Sequence, residues 1–157
     1  MAATTPPSMT VGDLPERRGS RYPPPFDKPC LARSNRNLGD PFGLKDFGVH
    51  LLTLEPGGWS SQRHWHTHED ELVYVIEGTP TLVTDEGETA LAPGSVAGFP
   101  AGTGNGHHIV NNSGAVARLI VVGSRKKEDD CYYSDIDMQL LQHAAGGVFA
   151  HKNGEPY

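Results

Sequence analysis

Residues 64–71 bring three imidazoles and three carboxylates into eight consecutive positions, and both side-chain types are metal ligands. Neutral imidazole suits first-row transition metals. Two histidines and a carboxylate on one face can hold such an ion and leave coordination positions open for a substrate or for oxygen. The segment reads His64-Trp-His66-Thr-His68-Glu69-Asp70-Glu71.

Strand alternation determines which of these side chains can meet. His64 and His66 stand two positions apart, so in a strand they point the same way and are near neighbours. A polar strand end in solvent, or a histidine satisfied within the core, is the alternative for any single one of them. Glu71 shares its face with Val73 and Val75, which places the carboxylate at the rim of an apolar wall.

His68 has the same parity as His64 and His66 if the strand continues without interruption. It could then replace a ligand, hold a substrate group or support a ligand from behind. The turn-forming residues from Thr67 to Asp70 interrupt this alternation, which favours a position at the rim of the site or behind a ligand. Glu69 and Asp70 are expected to be solvated loop carboxylates.

The charge of the chain argues against nucleic acid as a partner. The 157 residues carry a net charge of −6 and have a pI near 5.7, which offers no basic surface to a phosphate backbone. The basic run 125–127 is followed at once by three acidic residues, 128–130.

We expect a cytoplasmic protein with no membrane partner. The N-terminus lacks the apolar segment of a signal peptide, and no stretch approaches the roughly 18 apolar residues of a membrane span. Cys30 and Cys131 are not in a CxxC or similar motif, so they are predicted to be ordinary thiols.

Residues 1–40 are predicted to form a proline-rich arm. Seven of the thirteen prolines fall within the first thirty residues, where apolar periodicity is missing. The leading part is expected to be disordered. The part from Tyr22 to Leu31 has enough apolar residues to lie against the domain or a neighbouring subunit.

Residues 41–125 have the pattern of an all-β domain. Short β-rich runs alternate with Gly and Pro signals at the spacing of a sandwich or barrel. The predicted strands are 47–54, 71–77, 81–84, 88–91, 95–99, 107–111 and 116–122. So many antiparallel strands in a small domain favour a double-sheet jelly roll, which hides strand edges and keeps a cavity between the sheets.

Residues 126–157 are predicted to form a C-terminal tail with one short helix. Apolar residues recur at helical spacing between Ile136 and Ala145, and Gly146-Gly147 would end the helix. Asn153-Gly154 predicts a turn that folds the tail back over the barrel mouth or a partner subunit.

The stretch 58–78 resembles the first motif of the cupin superfamily, G-x5-H-x-H-x3,4-E-x6-G. The matching residues are Gly58, His64, His66, Glu71 and Gly78, all at the required spacings.

Residues 94–111 are similar to the second cupin motif, G-x5-P-x-G-x2-H-x3-N. The matching residues are Gly94, Pro100, Gly102, His107 and Asn111. Four residues separate Gly102 from the histidine where two are usual, and His108 keeps the same gap to Asn112, so His108 is the alternative ligand. Strand parity favours His107, which shares a face with Asn111.

The resemblance implies a double-stranded β-helix (jelly-roll) barrel in which His64, His66, Glu71 and His107 hold one divalent ion of iron, manganese, nickel or zinc. Such an ion permits Lewis-acid chemistry, or oxygen chemistry if it is iron. The expected function is a metal-dependent isomerase, lyase or dioxygenase acting on a small oxygen-rich metabolite. Because Glu71 would be a ligand, another group must move protons, and His68 is the nearest candidate.

A non-catalytic module that binds a small molecule, with the metal as anchor or structural element, is the alternative function. We expect a homodimer in either case. A β-rich domain would gain from laying its apolar arm across a second copy, and proteins resembling this one often pair.

Overall fold

The computed structural model describes residues 7–143 and 146–157, which form strands and three single-turn 3₁₀ helices. The helices span Val11–Asp13, Lys28–Cys30 and Asp40–Phe42. The strands are β1 (Glu16–Arg18), β2 (Arg33–Asn37), β3 (Phe47–Leu54), β4 (His64–His66), β5 (Glu71–Glu77), β6 (Thr81–Thr84), β7 (Gly87–Ala90), β8 (Val96–Phe99), β9 (His108–Val110), β10 (Ala117–Ser124), β11 (Cys131–Tyr133), β12 (Gln139–His143) and β13 (Gly146–Ala150). In these described ranges, no helix has the length and apolar character needed to cross a membrane.

The strands form one large sheet and two smaller ones. The large sheet has the order β1-β2-β3-β10-β5-β8, and the smaller sheets have the orders β13-β12-β11-β4 and β7-β6-β9. Backbone bridges from Trp59 to Val110 and from His64 to His107 join the smaller sheets beside β4 and β9. This is the all-β jelly-roll barrel predicted from the sequence.

The strand bounds follow the alternation of the sequence. β3, β5 and β6 have the predicted bounds, and the other four predicted strands, now β7 to β10, differ by one or two residues at their ends. In β5, Val73 and Val75 are buried while Leu72, Tyr74 and Ile76 are exposed. One face of this strand therefore belongs to the core and the other to the surface.

The main core lies between the inner face of the large sheet and the smaller sheet β7-β6-β9. It consists of Leu52, Leu54, Val73, Val75, Leu91, Ile109, Ala117 and Leu119. Full burial of a side chain such as Leu or Val contributes about 1.5–3 kcal/mol. Glu71 stands one pleat beyond Val73 on the same face, so the core fixes the position from which its carboxylate projects.

The described part of segment 1–40 joins the barrel wall. β1 and β2 extend the large sheet beyond β3, and Asn35 of β2 is paired with Leu52. Tyr22 packs edge-on against Tyr133 and Phe149, with ring centroids 5.5 Å apart in both cases. The segment predicted as an arm therefore supplies two strands of the large sheet and packs against the smaller sheet β13-β12-β11-β4.

The helix predicted over 136–145 is wrong. Residues 139–143 form β12, which pairs with β13 so that Leu140 stands opposite Phe149. Both side chains pack against the buried cluster that contains Tyr133. Sheet pairing and this burial outweigh a weak helical period in the sequence. Residues 144 and 145, at the end of the predicted helix, lie outside the described residues.

The C-terminal tail folds back on the chain itself. A turn that includes Gly154 reverses the direction after His151, and Ala150 forms a bridge with Pro156. Tyr157 stacks on His151 at 4.0 Å and packs edge-on against Phe26 at 5.9 Å between ring centroids. The tail thereby contacts the N-terminal segment.

Gly78 and Gly57 offer a matched test of packing beside β10. Both have left-handed backbones, with φ of 83° and 82°. A Cβ on Gly78 would lie 2.7 Å from Ala117 Cα, whereas one on Gly57 would have nothing within 4 Å. We expect Gly57→Ala to cost about 1–2 kcal/mol of unfolding free energy through backbone conformation alone. Gly78→Ala should cost about 1–3 kcal/mol more because the backbone must shift. Urea unfolding of both variants measures the difference, and equal losses would contradict the packing argument.

Candidate metal centre

Three imidazoles converge on one carboxylate oxygen inside the barrel. The Nε2 atoms of His64, His66 and His107 lie 3.5, 3.6 and 2.8 Å from Oε2 of Glu71. All four side chains are at least four-fifths shielded from solvent. The four residues given by the motifs therefore occupy one place in the fold.

Backbone pairing brings two of these histidines together. His64 and His107 form an antiparallel bridge with N–H to O distances of 3.1 and 2.8 Å. Directly opposed residues of an antiparallel pair project to the same face, and their ring centroids lie 4.8 Å apart. His66 follows on the same face of β4, with its ring 5.0 Å from that of His64.

Glu71 approaches the histidines from the opposite side. It is the first residue of β5 in the large sheet, where it pairs with Gly123 and Phe99. The connection 67–70 carries the chain from β4 in the smaller sheet β13-β12-β11-β4 to β5 in the large sheet. The three or four residues between the second histidine and the glutamate in the first cupin motif correspond to this crossing.

The hydrogen bonds of the rings favour metal binding through Nε2. His64 Nδ1 lies 2.9 Å from the carbonyl oxygen of Gln62, which can only accept, so this nitrogen carries the proton. His66 Nδ1 lies 2.6 Å from Oδ2 of Asp129. In the neutral rings the Nε2 atoms then carry lone pairs directed at the centre.

His107 is held by its ring face. It stacks parallel to Phe99 with centroids 3.6 Å apart and an interplanar angle of 1°. Its Nδ1 is buried and has no hydrogen-bond partner among the described residues. Its Nε2 is directed at Glu71, so the stacking fixes the direction of this ligand.

The buried charges are coupled. Burial opposes ionisation of Glu71, but the hydrogen bond from His107, and that from His64 when its ring is protonated, hold the pKa of its carboxyl well below its usual range. Burial also disfavours the imidazolium of His64, yet the hydrogen bond and charge of Glu71 raise the pKa of that ring overall. Burial dominates at His107 and lowers its pKa. The centre thus holds an ionised carboxylate among imidazoles, which is a donor set for a divalent cation.

The donor set fits one first-row divalent ion. Three imidazole nitrogens and one carboxylate oxygen are ligands shared by iron, manganese, nickel and zinc. Ligand atoms of His64, Glu71 and His107 lie within 4.8 Å of one another. An ion among them would replace the direct contacts of the rings with Glu71 and balance its charge.

Asp129 was missed by the sequence reasoning, which counted it only among the three acidic residues that follow the basic run 125–127. Its side chain is 2% exposed and orients His66. Oδ1 also accepts the backbone N–H groups of His68 at 2.8 Å and Glu69 at 3.1 Å. The fold of the loop before β11 distinguishes it from its acidic neighbours, and no sequence signal does so.

His68 does not join the cluster. Its ring is exposed, and its Nδ1 lies 2.8 Å from Oγ1 of Thr67. The alternation ends after His66 because the chain leaves β4 there. The side chain is therefore displaced from the position that a proton-transfer group at the metal would need.

The remaining polar side chains of the two motifs have other contacts. Glu69 accepts the backbone N–H of Lys126 at 2.7 Å, and Asp70 accepts that of Ala101 at 2.8 Å. His108 Nδ1 lies 3.1 Å from the carbonyl oxygen of Ser61, and its ring packs edge-on against Trp59. The geometry thus directs His107, and not His108, at Glu71.

A cavity of about 230 Å³ adjoins the centre. Its wall includes His64, Glu71 and His107 together with apolar side chains of the core. Polar side chains on the wall that the sequence reasoning did not select are Tyr22, Arg33, Asn35, His50, Ser60 and Ser61. Tyr22, Arg33 and Asn35 come from the predicted arm, where no motif marks them.

The chain belongs to the cupin superfamily. The family model described as a cupin domain matches residues 50–123. A sugar phosphate isomerase from a cupin superfamily, from Silicibacter pomeroyi, has 45% sequence identity over 96% of each chain and a TM-score of 0.92.

Two further solved structures are similar over a smaller share of the chain. A protein provisionally named a sugar phosphate isomerase, from Acidithiobacillus ferrooxidans, shares 31% identity over 80% of each chain with a TM-score of 0.72. A polyketide cyclase from Streptomyces resistomycificus shares 24% identity over 76% of this chain and 79% of its own, with a TM-score of 0.61, which shows the common fold alone. No curated protein matches the chain.

Asp129→Asn should weaken metal binding about 10- to 100-fold, because an amide cannot hold the His66 ring as a carboxylate does. Competition against a chromophoric chelator measures the dissociation constant. Glu128→Gln is the matched control. The Glu128 carboxylate is next to Asp129 in the sequence, but it is exposed and makes no side-chain hydrogen bond within the described residues. Equal affinities of the two variants would contradict the orienting role of Asp129.

Proposed function

We propose that the protein is a metal-dependent isomerase acting on a small phosphorylated sugar or a related oxygen-rich metabolite. The observation that carries the proposal is the convergence of three imidazole Nε2 atoms on Oε2 of Glu71 beside a cavity. The 45% identity to a sugar phosphate isomerase over 96% of each chain supports the reaction type and the substrate class.

His64, His66, Glu71 and His107 would hold the ion. When bound, it would supply a Lewis acid that polarises a substrate carbonyl or hydroxyl and eases proton transfer at the neighbouring carbon. The cavity also includes apolar side chains such as Leu52, Val73 and Ile109. Such walls exclude water and strengthen the electrostatic interactions of the polar groups.

His50 takes the proton-transfer role that the sequence suggested for His68. It lies on β3 and lines the cavity, and its Nδ1 is buried without a hydrogen-bond partner among the described residues. Burial lowers the pKa of its ring below the ordinary value of 6.5. The imidazole is therefore neutral near pH 7 and able to accept a proton.

An aldose–ketose isomerisation uses such a group twice. The base removes a proton from the carbon next to the carbonyl, and the carbon–hydrogen electron pair forms the carbon–carbon double bond of an enediol as the carbonyl oxygen gains a proton. The base then returns a proton to the former carbonyl carbon. The enediol hydroxyl on the neighbouring carbon loses its proton, and that carbon becomes the new carbonyl. The substrate keeps its atoms and its charge.

Solvent deuterium exchange tests this function. Metal-loaded protein is incubated in D₂O with a panel of aldose and ketose monophosphates, and NMR follows the hydrogen on the carbon next to the carbonyl. We expect isomerisation with deuterium incorporation at that carbon, lost on chelation and restored by metal. Binding of the panel without exchange or turnover would contradict the enzyme proposal and favour the non-catalytic module.

His50→Gln should lower kcat about 10²- to 10⁴-fold, because removal of a general base costs about this much. Metal content should stay unchanged, since His50 is not among the converging ligands. His151→Gln is the control, because that ring pairs with Asp137 on the surface. A wild-type kcat in His50→Gln would remove His50 from the mechanism.

We further propose that the protein is a homodimer that pairs through the outer face of β5 and β8. Leu72, Tyr74 and Ile76 are 42–44% exposed on this face, and Val96, opposite Tyr74, is 61% exposed. A contiguous apolar face of this kind is typical of an interaction surface. A second copy would also cover the open edge of β8.

Val96→Lys should shift the protein from dimer to monomer in light scattering, because a charge would be buried in the interface. Val148→Lys, which changes another exposed valine, on β13, should leave the dimer intact. A wild type that is a monomer of 16.9 kDa would contradict the dimer. A Val96→Lys variant that stays dimeric would show that this face is not the interface.

A further inference from the structure

The cavity wall has two origins in the sequence. His64, Glu71 and His107 lie within the part that matches the cupin family model, residues 50–123. Tyr22, Arg33 and Asn35 precede that part. Arg33 and Asn35 reach the cavity because β2 extends the large sheet, and Tyr22 reaches it from the segment between β1 and β2, where its ring packs against Tyr133. The proposed metal ligands thus belong to the common cupin core, while the N-terminal segment adds its own polar side chains to the cavity wall.

Arg33 is the cation of this added wall. Its Nε donates to the carbonyl oxygen of Gly19 at 2.9 Å, and Nη1 donates to the carbonyl oxygen of Ser60. These two bonds fix the plane of the guanidinium. Nη2 makes no hydrogen bond to any residue that the structure describes.

The charge of Arg33 is not balanced by a nearby acid. Arg36, Arg63, Arg118 and Arg125 each pair with a carboxylate within 4 Å. For Arg33, by contrast, the residues in 7–143 and 146–157 provide no carboxylate at that distance. A partly buried cation that bonds only to neutral carbonyls gains free energy when an anion enters beside it.

We propose that Arg33 binds the phosphate group of the substrate in this cavity. The inference rests on the proposed function, which places the carbonyl end of the same molecule at the metal centre. Arginine presents several N–H donors in one plane and matches phosphate oxygens in a bidentate arrangement. Asn35, two positions along β2 and on the same inner face, adds an amide to this wall.

Inorganic phosphate is the probe, with metal-loaded full-length protein and acetate as a carboxylate comparison. We expect phosphate to raise the thermal unfolding midpoint of the wild type in a saturable manner, with acetate much weaker. Arg33→Gln should weaken phosphate binding about 10- to 100-fold, the loss expected for charge-assisted hydrogen bonds. Arg118→Gln, which alters an exposed arginine paired with Glu77, should bind phosphate like the wild type.

Four results would overturn the proposal. Equal phosphate affinity in Arg33→Gln and the wild type would show that the anion binds elsewhere, including at the metal. No stabilisation of the wild type by phosphate, or equal stabilisation by acetate, would remove the phosphate assignment. If Arg33→Gln fails to fold, Arg33→Lys serves instead, because lysine keeps the charge but lacks the planar guanidinium that presents two parallel donors to a phosphate. Wild-type affinity in that variant would contradict the proposal.

Metal content separates this inference from the proposed function. Arg33 variants should keep the metal of the wild type, since within the described residues Arg33 makes no hydrogen bond to any of the proposed ligands. If the metal-loaded wild type binds phosphate through Arg33 but shows no isomerase activity, the proposed function is refuted and the phosphate site stands. The reverse pattern, activity without Arg33-dependent binding, would refute the site alone.

Discussion

Glu71 is a shielded carboxylate whose charge the fold must compensate, and the large sheet and the two smaller sheets meet around it. A carboxylate in an apolar wall is stable only with hydrogen-bond donors or a cation beside it. The large sheet supplies Glu71, while β4 and the residue before β9 supply the three imidazoles that face it. The centre therefore joins the two layers of the barrel through charge as well as through apolar packing.

Segments outside the two cupin motifs complete the centre and its cavity. Asp129, in the loop before β11, holds the His66 ring and the turn that leads to Glu71. β2, from the N-terminal segment, places Arg33 on the cavity wall. The family core thus carries the proposed metal ligands, and the flanking segments orient one ligand and shape the space where a substrate would bind.

Alternation in the sequence predicted β3, β5 and β6 with their observed bounds, because a half-buried strand records its two faces in every second residue. The motif spacings predicted which four side chains meet. The helix over 136–145 failed because pairing with β13 outweighed a weak local period. Asp129, Arg33 and His50 could not be found from the sequence, since each reaches the site through contacts between distant segments.

Elemental mass spectrometry of the untagged protein tests the metal centre most directly, with His107→Ala and His108→Ala as a matched pair. The two histidines are adjacent and buried, but only His107 is directed at Glu71. We expect about one divalent transition-metal ion per chain in the wild type and in His108→Ala, and a strong loss in His107→Ala. A wild type without metal, or His107→Ala with full metal content, would contradict the centre described for this protein.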